Sequence, residues 1–155
     1  MAKSKIIILK LLPDESYCFN INMGDKSTQY YGYIHADWDP EDWKEAKSGD
    51  EFFLLQYKDN SSGIIMHGTL HSDAKHYGPY PGTKNGIYGT YLIPDQQIDE
   101  EKYRLLSTDV LKNAMPEFNW SPGPSGRKIT GPNVRKMHKL WKQYLAMNDY
   151  DLSNL

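Results

Sequence analysis

Apolar and polar residues fall into blocks whose period changes along the chain. KIIILKLL (5–12) is apolar and β-branched almost throughout, the pattern of a buried strand, and Pro13-Asp14 ends it. Residues 16–34 alternate weakly and are rich in Tyr, with a turn at Met23-Gly24-Asp25-Lys26 that predicts a hairpin. DPEDWKEA (39–46) has Asp39 suited to an N-cap, Pro40 to the first helical position and acids in the first turn. It predicts a short helix ended by Ser48-Gly49-Asp50. EFFLLQYK (51–58) is apolar on both faces, as expected of a central strand covered on two sides. A turn at 59–63 returns GIIMHGTLHS (63–72), where Gly68 in mid-strand predicts a bulge or the close approach of another backbone or a ligand.

HYGPYPGTKNG (76–86) reads as a long irregular loop and GIYGTYLIP (86–94) as a fifth strand. A helix is expected over 107–114, followed by FNWSPGPSGRKI (118–129), a turn-rich stretch stiffened by Pro122 and Pro124. The last helix should begin at Pro132, capped by Thr130 or Gly131. Its Val134, Met137, Leu140, Trp141, Tyr144 and Leu145 form one amphipathic stripe. Five or so strands and a few helices within 155 residues predict a single α+β domain spanning 1–155, most simply a curled sheet or half-open barrel.

Composition sharpens this in two ways. Hydrophobic residues make up 39% of the chain and charged residues 25%, which supports a packed core. The 12 Tyr against 4 Phe, with 4 Trp, favour half-buried surfaces or recognition, although strands bearing surface Tyr account for part of the excess. The formal net charge is −2, yet Arg127, Lys128, Arg135, Lys136, Lys139 and Lys142 lie in a run free of acids. A polyanion needs only such a local face. Cys18 is the single cysteine, so no internal disulfide or multi-cysteine zinc site can form, and a reducing, cytoplasmic setting is expected. The run IIILKLL is too short to cross a bilayer and lacks a small-residue cleavage site, so it reads as a strand and not a signal peptide.

The residue types that carry chemistry are sparse. His67 and His71 face the same way on one strand but lie roughly 13 Å apart at strand rise, too far to share a metal. His71, Asp73 and His76 could converge at a strand-to-loop junction, without a further acid or thiol spaced to complete a cation site. Cys18 has no His near it in sequence, and Ser125 in GPSG lacks the spacing of a nucleophile elbow. There is no phosphate-cradling Gly loop. No catalytic residue, metal or cofactor is therefore expected. What remains is aromatic and basic: Trp38 and Trp120 each lie beside a turn, and Tyr77 and Tyr80 lie on the long loop. Trp43 and Trp141 are assigned to the core from their helix faces. Rings on loops beside Arg and Lys are what flipped or single-stranded bases stack against.

In order, the chain contains Trp38, then Gly49, Asp50, Phe53, Leu54 and Leu55, then Gly63, Ile64 and Gly68. Trp120, Pro122, Ser125, Gly126 and Ile129 follow, then Leu140 and Trp141. Over residues 30–145 this set resembles the PUA-like superfamily, and within it the EVE-like domains found alone or fused to HNH restriction endonucleases. The N-terminal 29 residues and the 76–86 loop have no counterpart in that pattern.

The resemblance implies a pseudo-β-barrel of five or six mostly antiparallel strands with flanking short helices and a C-terminal amphipathic helix. It also implies binding of nucleic acid that carries a modified, for example methylated, base. Carried over by position, it nominates Trp38 and Trp120 as pocket rings and Ser125 and Gly126 as contacts, with Ser121 beside them. Tyr77 and Tyr80 join as loop rings, and Arg127, Lys128, Arg135, Lys136 and Lys139 as phosphate contacts. The 155 residues hold no HNH motif, so cleavage would fall to a separate nuclease partner. A pocket for a free flat ligand such as a nucleoside is the alternative, and neither reading requires a membrane.

Overall fold

The computed structural model describes residues 5–11, 19–22, 31–36, 43–58, 62–77, 87–98, 102–122 and 126–148, with backbone alone at 19–22, 31–36, 77 and 87. The strands are β1 (Lys5–Leu11), β2 (Phe19–Asn22), β3 (Tyr31–Ala36), β4 (Glu51–Gln56), β5 (Gly63–Leu70), β6 (Lys75–Tyr77), β7 (Ile87–Gln97), β8 (Leu106–Ser107) and β9 (Arg127–Thr130). A 3-10 helix covers Trp43–Glu45, and the two α-helices are α1 (Thr108–Ala114) and α2 (Pro132–Met147).

The main path of the sheet runs β2-β3-β7-β5-β4-β1-β9, with β6 added on β7 and β8 on β5. β1 and β4 pair in parallel, and the remaining ladders are antiparallel. This is the curled α+β half-barrel the hydrophobic pattern predicts, with more strands than that pattern shows. β6, β8 and β9 are each four residues or fewer, and β9 begins within the end of the stretch that reads as turn-rich. The helix expected from residue 39 is, over its described part, one 3-10 turn, and Asp39 and Pro40 fall outside the described residues.

β1 and β4 form the central ladder, and their strict alternation divides the interior into two cores. Ile6, Ile8, Phe53 and Leu55 point toward α1 and α2, where they meet Trp120, Ile129, Val134, Met137, Trp141, Tyr144 and Leu145. Ile7, Leu9, Phe52 and Leu54 point the other way and pack with Ala46, Met66, Tyr88 and Leu92. The side chains of all eight ladder residues are inaccessible to solvent, so a strand apolar on both faces is what two-sided burial demands. The stripe on α2 buries as its period requires, with Leu140 only partly covered.

Gly68 meets its expected close approach. A Cβ there would lie 2.2 Å from the Ile93 carbonyl oxygen, at the point where the β5–β7 register shifts. At the start of α1, the Ser107 hydroxyl accepts from Val110 N–H, as an N-cap should. Gly131 serves as the N-cap of α2 without a side-chain bond, and Pro132 fills the first turn.

Candidate functional site

The loop that opens at Trp120 is fixed from below. Trp120 is 2% exposed, its ring centroid lies 4.5 Å from that of Phe118, and its indole N–H donates to the Met115 carbonyl at 3.0 Å. The Tyr57 hydroxyl donates to the Trp120 carbonyl at 2.6 Å. Trp120 is thus a core residue that anchors the loop. Although it borders an open hollow, it leaves almost no ring surface for a base to stack on, because the indole turns inward toward Met115. Burial also pushes the Tyr57 hydroxyl well above the ordinary tyrosine range, so it stays a donor.

Lys10 follows Ile6 and Ile8 on the helix side of β1 and is almost wholly buried. Its ammonium donates to the Ser121 carbonyl at 2.7 Å and the Asn119 carbonyl at 3.2 Å, which suits a cation that the strand's alternation forces inward. Burial, with Arg127 adding repulsion, brings its pKa down to about 8. The Gly126 N–H donates to the Ile8 carbonyl at 3.0 Å with φ at +89°, a conformation that suits glycine. Gly126 is therefore buried in the sheet edge. Ser121 is exposed, its N–H capped by the Asn119 side chain, and Ser125 lies outside the described residues. Residues 116–121 with Lys112 line an open hollow of about 480 Å³.

A second aromatic group lies across the central ladder. Trp43, half-buried on the 3-10 helix, has its centroid 5.0 Å from Tyr88 and 6.1 Å from His76, and His76 lies 4.7 Å from Tyr88. The Lys44 ammonium sits 5.9 Å over the Trp43 ring. The Ala74 N–H bonds the Ala46 carbonyl at 3.0 Å, and Asp73 accepts from Ser48 N–H at 2.9 Å, which fasten the 3-10 helix beside β6. The sequence assigns Trp43 to the core. It packs against the core's margin, and the three-ring cluster is not visible in sequence because it needs β6 and β7 to pair. Trp38 and Tyr80 lie outside the described residues; Tyr77 closes β6 by its backbone alone.

Phosphate candidates divide three ways. Arg127 is half-buried on the helix side of β9, next to Lys10. Lys128, one residue on, points to the opposite side and pairs with Glu45 of the 3-10 helix. Arg135, Lys136 and Lys139 are exposed on α2, where Lys142 joins them, and among the described residues none of the four makes an ion pair. Residues 132–147 contain no acid, so this face is uncompensated along its own helix.

The histidines settle differently from expectation. Asp73 turns to Ser48 and Lys47 and His76 to the aromatic group, so the His71–Asp73–His76 constellation is not assembled. His67 is instead held between Asp95, at 2.7 Å from Nδ1, and Glu51, at 2.6 Å from Nε2, and His138 of α2 reaches the other Glu51 oxygen at 2.7 Å. Burial alone would lower the His67 pKa, but Asp95 and Glu51 outweigh it and hold the ring up at about 9. Glu51 is held below its usual range, the two histidines outweighing the opposing effect of burial. Among the described residues no group of His, Cys, Asp or Glu has the geometry to hold a metal ion, and no helix is long and apolar enough to cross a membrane.

No protein-family model matches the chain, and no curated protein does. Solved structures match by shape. The YTH domain of Mmi1, determined in complex with RNA, superposes with a TM-score of 0.54 at 12% identity, covering 95% of this chain and 82% of that one. The Mmi1 YTH domain in a second structure gives 0.54 at 10% identity over 94% and 79%. A structural-genomics protein from Pseudomonas putida gives 0.50 at 18% identity over 92% and 99%. At these identities the likeness is one of fold: the chain shares the overall fold of these YTH domains.

Proposed function

We propose that the chain is a non-enzymatic nucleic-acid-binding module that takes a modified base into an aromatic site at the margin of the second core. The observation that carries this is the cluster of Trp43, His76 and Tyr88, fastened where the chain enters from Trp38 and leaves toward Tyr77 and Tyr80. A flipped base needs flat walls with few polar groups, and its unstacking costs a few kcal/mol that stacking must offset. The basic face of α2 supplies phosphate contacts, and the fold shared with an RNA-bound YTH domain lends the reading support. Trp38, Tyr77 and Tyr80 keep their proposed place at this site. Ser121 and Gly126 lie across the ladder from this cluster, through their contacts with Lys10 and Ile8, and Ser125 keeps its proposed role as a contact. EVE-like membership, a separate nuclease partner and a cytoplasmic setting remain part of the same proposal.

Fluorescence anisotropy with labelled oligonucleotides, modified and plain, tests it. Trp43→Ala should abolish the preference for the modified strand, with a loss of stability smaller than that of truncating the fully buried Trp120. Lys136→Ala and Lys139→Ala should weaken binding to all strands alike and reduce the slope of log K against log salt by about one unit each. Failure of DNA and RNA, modified or plain, to bind at low salt sinks the proposal. The open hollow of about 480 Å³ beside Phe118 favours a second reading, a site for a free flat ligand. Thermal stabilisation by nucleosides without any oligonucleotide binding selects that one.

A further inference from the structure

The lysines of this fold are partnered unequally. Around the Trp43 cluster, Lys5 pairs with Asp50 at 3.1 Å, Lys47 with Asp73 at 3.9 Å, and Lys128 with Glu45. On α2, none of Arg135, Lys136, Lys139 and Lys142 is paired among the described residues. The Lys128–Glu45 contact joins segments 83 residues apart, from the edge strand β9 to the helix that carries Trp43. It is also exposed on both sides, with Lys128 34% and Glu45 49% accessible, so water and a competing anion can reach it. Lys5 makes a separate tie to the same helix, donating to the Glu45 carbonyl at 2.5 Å, so the helix does not depend on the Glu45 side chain to stay in place.

We propose that Glu45 is an internal stand-in for a phosphate. In the free protein its carboxylate occupies Lys128, and a backbone phosphate of the bound strand displaces it when the adjacent base enters the Trp43 site. This rests on the proposed nucleic-acid function. The exchange swaps one anion for another on a single ammonium, so no charge is buried and no bond is made or broken. Its consequence is selectivity: a strand with no base to place in the aromatic site meets a masked lysine and the repulsion of a free carboxylate.

The test is a double-mutant cycle on the full chain, with labelled single-stranded RNA and DNA as probes. Glu45→Gln should tighten binding about two- to five-fold, the scale of one exposed ion pair released. The gain should vanish in the Lys128→Ala background, where there is no lysine to unmask. Lys5→Gln, which loosens the same helix without freeing a cation, should give no gain. If wild type binds and Glu45→Gln does not bind more tightly, the inference is wrong while the function stands. The inference is equally wrong if the gain survives in Lys128→Ala, or if Lys5→Gln reproduces it, since the effect is then loosening of the helix. Absence of binding by wild type and variants together overturns the functional proposal and this inference with it.

Discussion

Replacing Trp120 by alanine separates a structural anchor from a ligand wall. The ring is 2% exposed, tilted against Phe118, and bonded through its indole N–H to the Met115 carbonyl. Truncating a buried aromatic to alanine costs about 3–5 kcal/mol, because the removed atoms leave a cavity the surroundings only partly fill. The Met115 carbonyl loses its partner at the same time, adding about 0.5–1.5 kcal/mol. The sum, about 3.5–6.5 kcal/mol, is a large share of a total stability that is typically about 5–15 kcal/mol. Urea unfolding at 25 °C, followed by far-UV circular dichroism, measures it directly. With a slope of about 1–3 kcal/mol per molar, the midpoint should fall by about 1 M or more. A midpoint within about 0.5 M of wild type would refute the burial argument, being under half the smallest shift expected from that slope. If such a stable variant also lost oligonucleotide binding, Trp120 would return to the binding site.

Two further substitutions probe the scaffold. His67 has its folded pKa raised from 6.5 to about 9, so the network around it stabilises the fold fully below about pH 6.5 and loses that contribution as pH rises through 9. The half-exposed Asp95 screens part of this, leaving about 1–2 kcal/mol, and the stability difference between wild type and His67→Gln should shrink by that amount from pH 6 to pH 10. Taking the difference cancels Lys10, whose lowered pKa acts with the opposite sign between about 8 and 10.5; a difference independent of pH would refute the assignment. Gly68→Ala should cost about 1–3 kcal/mol, since the new methyl meets backbone atoms and not a side chain that can move. An unchanged melting temperature for that variant would show that the β5–β7 bulge can relax.

The long periodic elements were legible in the sequence because their burial is one-dimensional. β1, β4, β5, β7 and the stripe of α2 each repeat a rule every two or three to four residues. The Gly68 approach was legible too, since a glycine inside an apolar strand has few other uses. β6, β8 and β9 were not, because strands of two to four residues carry no period and exist only through pairing to β7, β5 and β1. The burial of Trp120 was not legible either, for a related reason. Turn residues after it say that the chain bends, but they do not say to which side the indole points. The Glu51–His67–His138–Asp95 network left no signal, since its members come from β4, β5, α2 and β7 and meet only across the ladder.

The basic run from Arg127 onward shows why charge along a chain is a poor guide to charge on a surface. Residues 127 and 128 are neighbours, but β9 is a strand, and strand neighbours face opposite ways. Arg127 pairs in register with Ile8 and Lys128 with Ile7, and those two isoleucines belong to different cores. The same alternation that divides the interior thus divides the cations, sending Arg127 toward the helix layer and Lys128 toward the Trp43 helix. Once α2 begins, the period changes to 3.6 and its basic residues gather on one exposed face, opposite the stripe that reaches the core. One run of charge therefore becomes two separate surfaces, of which α2 carries no acid of its own and β9 is held by Glu45. Because Glu45 ties Lys128 to the helix that carries Trp43, Lys128, and not the longer helical face, is under the proposed function the position where charge and base recognition can be coupled.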